Sequence, residues 1–437
     1  MTDVLIIGAG AAGLMAAREL TQQGLKVTIL EARHRLGGRI FTQQENNFSV
    51  PVEAGAEFVH GDLPLTQVLF QEAQVSLHLL AGKNYQILDG ILKESEEFIE
   101  HFDELLARLN ELEEDMPFAE FLKKYLSGDE FAELRQGVTR FAEGYDAADI
   151  NRTSSLALRD EWQTDGAANS YHPTGGYHQI IDLLAHQVQA NGGTIVTTTP
   201  VKEINWQPKQ VQVTCTTGKT YQAPKVLITV PLGVLQAEPT AEGSIQFTPA
   251  LPQRQQALAT LGFGPVIKIV LEFKSAFWEE NETNAAVTQK MPELAFLFTD
   301  ASAIAAWWTQ LPNPAPVLTG WIAGSEAEIR RNATPTELLS EALTTLALLF
   351  DTSVAYLREQ LVAQQVFNWA ADPFARGAYA YATVGGTTAR QILNIPEANT
   401  LYFAGEALYE GTAIGTVEAA LASGKKAAEQ IIQTFIH

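Results

Sequence analysis

The sequence predicts an α/β protein of two domains, one a dinucleotide-binding domain assembled from separated segments and the other an α+β unit. Three observations predict this. A glycine loop lies between two short apolar strands at the start of the chain. Dinucleotide-like features return at its far end. The length of 437 residues, at roughly 150 residues per domain, suits two large units or three smaller ones.

The first element is Val4-Leu5-Ile6-Ile7, a short β-branched run. The loop Gly8-Ala9-Gly10-Ala11-Ala12-Gly13 follows, and an Ala-rich helix runs to Gly24, which suits a C-terminal cap. A second strand, 27–30, ends at Glu31. In this Rossmann-type order Gly8 permits the tight turn, Gly10 lets a pyrophosphate approach the backbone, and Gly13 allows helix and strand to pack closely. The helix N-terminus offers free N–H groups to phosphate. Glu31 lies where an acid can bind a ribose hydroxyl. A βαβ crossover without ligand is the plainer alternative.

Residues 95–125 read as helical, with Phe98, Phe102, Leu105, Leu109 and Leu112 at spacings of four and three. The stripe reads as core and the acids between as a solvated face. Segments 194–199, 211–216 and 226–230 read as strands, and Cys215 in the second reads as inert. Pro-rich stretches at 248–252 and 311–316 read as loops, and a last helix is expected over 412–435. The expected division is residues 1–79, 173–245 and 386–437 for the dinucleotide domain, with 80–172 and 246–385 for the substrate domain.

Composition narrows the function. Apolar residues make up 46% and charged residues 18%, which is globular and excludes disordered, collagen-like and coiled-coil classes. The single cysteine excludes a disulfide framework or a cysteine-rich metal centre. The eight His show no HExxH or other tight ligand spacing, so no metal is expected. Lys+Arg 29 against Asp+Glu 51 gives −22, a field that repels nucleic acid and attracts small cations. No apolar run approaches about 18 residues and the first is too short for a signal peptide, so no membrane partner and a cytoplasmic location are expected.

Further blocks follow the first loop. Glu31-Ala32-Arg33 leads into Arg35-Leu36-Gly37-Gly38-Arg39, then Val52-Glu53-Ala54-Gly55-Ala56-Glu57-Phe58-Val59-His60-Gly61. Later come Gly262-Phe263-Gly264-Pro265-Val266-Ile267-Lys268-Ile269 with Phe277-Trp278, then Trp369, and Asp372-Pro373-Phe374-Ala375-Arg376-Gly377-Ala378-Tyr379. The series closes with Leu401-Tyr402-Phe403-Ala404-Gly405-Glu406 and Gly411-Thr412-Ala413-Ile414-Gly415-Thr416-Val417-Glu418. Spanning nearly the whole chain in order, these blocks resemble the flavin-dependent amine oxidase family of monoamine oxidases, polyamine oxidases and lysine-specific histone demethylases.

The resemblance implies FAD, held by Gly8, Gly10, Ala12, Gly13, Glu31, Ala32, Arg33, Gly37, Gly38, Arg39, Gly55, Ala56, Glu57, Val201, Gly405, Glu406, Ala413 and Ile414. The helix expected from Thr412 would aim its positive end at the flavin ring. Lys268 matches the family lysine that reaches flavin N5 through a water; a strand lysine facing water is the alternative. Tyr379 matches one wall of the family's aromatic cage, and Trp369 shapes the pocket beside it. Where mitochondrial monoamine oxidases carry a flavin-linking cysteine, this chain has Ala378, so FAD is expected to be non-covalent. Thr412 replaces the second cage tyrosine. His60 and Glu57 are candidates for a substrate's distal ammonium, Glu57 equally for a structural acid.

The activity implied is oxidative deamination of a small-molecule amine, with O2 reduced to H2O2 and a diamine or polyamine slightly favoured over a monoamine. L-amino-acid oxidases, FAD-dependent desaturases and porphyrinogen oxidases share the fold, as do escort proteins that bind no FAD, and these alternatives stay open. No general base and no oligomeric state is legible.

Overall fold

The computed structural model describes residues 2–44, 47–61, 63–94, 101–163, 169–279 and 287–436. Strands Thr194–Val196, Val27–Leu30, Val4–Ile7, Lys225–Ile228 and Leu401–Phe403 lie side by side in that order, all parallel. Their continuous apolar sequences follow from burial on both faces. On one face pack helices Ala11–Gln22, His178–Ala190 and Val417–Ile436. The first and last of these touch at backbone distance, for a Cβ on Gly424 would stand 2.2 Å from the Ala12 carbonyl oxygen. The other face carries a sheet of Thr220–Ala223, Gln210–Cys215, Val201–Gln207 and Gln246–Thr248. Its last strand begins one residue beyond the domain boundary expected at 245.

A seven-stranded sheet forms the second large layer, in the order Leu361–Asn368, Val266–Phe273, Val317–Ala323, Ala306–Trp308, Leu294–Thr299, Lys83–Leu88 and Ile91–Glu94. It is mixed: only Leu294–Thr299 and Lys83–Leu88 pair in parallel. Helix Pro335–Leu349 covers one face, its start held by a reciprocal cap between Thr334 and Glu337. Strand Val266–Phe273 is buried along its whole length and carries Lys268 between Trp321 and Phe367.

Two expected helices are corrected. Phe98 lies outside the described residues. Within 101–125 there are two helices, Phe102–Asn110 and Phe118–Tyr125, instead of one. Pro117 supplies no N–H to a continuing helix and restricts Met116 to extended backbone. The chain instead bridges to Ser154, and the Phe118 amide donates to the Thr153 carbonyl. Leu105, Leu109 and Leu112 are core, as the stripe implies, whereas Phe102 also reaches the cavity described below. The last helix starts at Val417, not Thr412, because the Thr416 hydroxyl caps the Ala419 amide at 3.2 Å. The three expected strands are present as Thr194–Val196, Gln210–Cys215 and Lys225–Ile228, with Cys215 fully buried.

Candidate active site

A cavity of about 1750 Å³ runs from the C-terminal edge of the parallel sheet to the mixed sheet and the helices near residue 145. At the sheet end the backbone makes the shape. Gly8 turns at φ +103°, Gly37 at +90° and Gly38 at +59°, conformations that L side chains resist. The Glu31 carboxylate is buried and braces the loop, accepting from the Ala9 amide at 2.8 Å and the Arg33 amide at 2.9 Å. The Gly37 amide donates to the Ala9 carbonyl, closing the cradle. Gly13 does not line the cavity: a Cβ there would meet the Gly8 carbonyl oxygen at 2.1 Å, so it permits helix and loop to touch.

Segments far apart in sequence meet here. The Arg39 guanidinium donates to the Ala378 carbonyl at 2.6 Å and to Glu406 Oε1 at 2.7 Å, while Glu406 Oε2 accepts from the Ala380 amide. Glu406 is buried, not a solvent-facing loop acid. Arg33 pairs with Asp372. Gly10, Ala12, Ala32, Gly55, Ala56, Val201, Gly405, Thr412, Ala413 and Ile414 all line the same cavity. With the last helix starting at Val417, residues 412–416 form the turn leading into it.

The opposite wall is charged and aromatic. Lys268 is 1% exposed, and its Nζ donates to Glu57 Oε2 at 2.5 Å and to the Gly55 carbonyl at 3.2 Å. It faces the cavity, not bulk water. Burial opposes the Glu57 charge, but the Lys268 ammonium and His172 hold its carboxyl below the usual range. Glu57 is thus already matched inside the protein, which weakens it as a counter-ion for a substrate ammonium. His60 Nδ1 lies 2.8 Å from Ser170 Oγ; burial, then His172, pushes its pKa down to about 4, so the ring is neutral near pH 7. Tyr379 lies stacked against Trp321 with centroids 6.4 Å apart, and its hydroxyl donates to the Tyr145 carbonyl. The Trp369 indole N–H donates to the Ala54 carbonyl at 2.8 Å, fixing the ring against Gly55.

Two residues on this wall escape sequence reasoning. Asp146 follows helix Ala132–Gly144, and Glu161 lies on helix Ser155–Trp162; both line the cavity. An acid in a loop and an acid on an amphipathic helix read as solvated, and no local signal marks them otherwise. Among the described residues no group of His, Cys, Asp and Glu suits a metal ion, and no single helix is long and apolar enough to cross a membrane.

Comparison with known proteins agrees with this geometry. The chain is 32% identical to the human lysine-specific histone demethylase 2 over 93% of its length, and 28% identical to the rice polyamine oxidase 4 over 98%. It spans half the length of that demethylase and 88% of that polyamine oxidase. Its fold superposes on cyclohexylamine oxidase from Brevibacterium oxydans with a TM-score of 0.80 at 22% identity, covering 100% of both chains. Putrescine oxidase bound to putrescine gives 0.78 at 20% identity, covering 99% of each. The family model for flavin-containing amine oxidoreductases matches residues 11–432, and to that family the chain belongs.

Proposed function

We propose that the protein is an FAD-dependent amine oxidase that deaminates a small amine with O2 as acceptor and prefers diamines or polyamines to monoamines. One observation carries the reading: a single cavity joins the glycine cradle to Lys268 and Tyr379. The cradle fits a dinucleotide flavin, because a Cβ on Gly405 would find nothing within 4 Å and one on Gly10 nothing nearer than 3.9 Å. Gly8, Gly10, Gly37 and Gly38 would hold the pyrophosphate, with Arg39 as its cation and Glu31 and Glu406 accepting from hydroxyls. Ala378 provides no thioether, so the flavin is held without a covalent bond. On the same reading residues 1–79, 173–245 and 386–437 serve the cofactor, and 80–172 and 246–385 the substrate.

When bound, the flavin would accept hydride at N5 from the amine α-carbon and pass the electrons to O2, leaving an imine to hydrolyse. The chain's own groups position and exclude. Lys268, fixed by Glu57 and the Gly55 carbonyl, keeps a proton donor at the reacting end. Tyr379 and Trp369 wall the pocket, and their apolar faces favour an amine that has lost its proton. Glu143, Asp146, Glu161, Asp300 and Glu326 lie on the cavity wall with Arg140 and Arg330, and both arginines pair with acids, Arg140–Asp300 at 3.8 Å. That balance favours a cationic substrate over an amino acid, whose carboxylate needs a free cation.

The test is peroxide release across an amine panel. Higher kcat/KM for putrescine and spermidine than for hexylamine and phenylethylamine is expected; monoamines ahead would overturn the preference. In the same preparation acid precipitation should leave yellow FAD in the supernatant, and absorbance retained by the pellet would refute non-covalent binding.

A further inference from the structure

We propose that Asp146, supported by Glu161, is the counter-ion subsite for the second cationic group of a diamine or polyamine, an inference that rests on the substrate preference proposed above. Asp146 is 8% exposed, its Oδ2 is fully buried while the residue lines the cavity, and the side chain it meets is a second acid, Glu161. Among the described residues no Lys or Arg lies within ion-pair distance of it. A buried carboxylate with no cation to match it is costly. The position gives nothing back, because Asp146 follows the C-terminus of helix Ala132–Gly144, where the helix dipole disfavours an anion. Glu57, in contrast, is matched by Lys268.

The placement suits an extended substrate. Tyr379 at the reacting end donates its hydroxyl to the carbonyl of Tyr145, the residue before Asp146, so the acid is tied one residue from the cage wall. Phe141 and Tyr145 stack with centroids 5.3 Å apart, and Trp162 packs on Phe141 at 5.7 Å. All three line the cavity and are neighbours of the two acids in sequence, offering methylene groups an aromatic bed beside them. Burial raises both Asp146 and Glu161; the charge of Glu161 raises Asp146 further, whereas the hydrogen bond with Asp146 draws Glu161 part of the way back. Two such carboxyls hold protons more tightly than exposed acids do, and an ammonium entering beside them would favour release of a proton and supply the missing counter-charge.

The experiment compares Asp146→Asn and Glu161→Gln with wild type, each as flavin-loaded enzyme. It reads kcat/KM for putrescine against butylamine and cadaverine against pentylamine. The expected result is a diamine-to-monoamine ratio that falls at least about tenfold in Asp146→Asn, mostly through KM, and less in Glu161→Gln. An unchanged ratio in both variants overturns the subsite. Should Asp146→Asn fail to accumulate, the ratio in Glu161→Gln decides. Wild type that prefers monoamines refutes the parent reading; wild type that prefers diamines beside unchanged variants refutes only this subsite.

Discussion

The two ends of the cavity are built on different principles. At the cradle end the shape comes from backbone: positive-φ glycines, amides braced by Glu31, and two ion pairs, Arg39–Glu406 and Arg33–Asp372, joining distant segments. At the reacting end it comes from buried side-chain charge and aromatic rings, with Lys268 and Glu57 facing each other at 1% and 3% side-chain exposure. A backbone cradle tolerates little added volume, because peptide groups cannot move aside. A buried charge pair tolerates volume but not the loss of one member, because the survivor is left uncompensated.

That contrast is broken most severely at the reacting end. Lys268→Met strands the Glu57 carboxylate, and a loss of about 3–5 kcal/mol in unfolding free energy is expected by denaturant titration. The double variant Lys268→Met with Glu57→Gln should recover much of it; a double variant no more stable than the single one would show that packing, not charge, holds this wall. Next comes Gly13→Ala at the cradle end. Its Cβ would press on the Gly8 carbonyl at 2.1 Å, so a loss of about 3 kcal/mol and weakened flavin retention are expected. Normal stability and full flavin content would show that the loop yields.

The effect smallest per step in conditions, because it is spread over a pH range, concerns the buried Glu53. Burial pushes its pKa up to about 7, although the Tyr177 amide and Thr42 hydroxyl donate to it. The folded state therefore holds this proton where the unfolded chain, near the ordinary Glu value of 4.5, has released it. Stability from this group is full below about pH 4.5 and declines up to pH 7, with a slope approaching about 1.4 kcal/mol per pH unit. Glu53→Gln should flatten the unfolding free energy over that window. A profile equally steep in both proteins would assign the decline elsewhere.

Legibility in the sequence follows the same divide. The glycine loop, the strands around it and the later glycine and acid blocks are visible because a tight turn makes its demands within a few residues. Lys268 is visible as an anomaly in an apolar strand. Its partner is not, since 211 residues separate it from Glu57 and no local pattern encodes the meeting. Asp146 and Glu161 look like ordinary surface acids until the helices around them are assembled. The split of the expected helix at Pro117 is different in kind: the proline is in plain sight, and the regular leucine stripe outweighs it. The late start of the last helix turns on one hydroxyl, that of Thr416, four residues past the expected start.

The parallel sheet takes strands from residues 4–7 and from 401–403, and the first helix rests against the last at Gly424. A ribosome reads these pieces about 400 residues apart. The glycine loop therefore has neither its outer strand nor its covering helix until about 400 further residues have been added, so its assembly is governed by slow, long-range pairing. During that interval the Lys225–Ile228 strand has an open apolar edge where Leu401–Phe403 will pair.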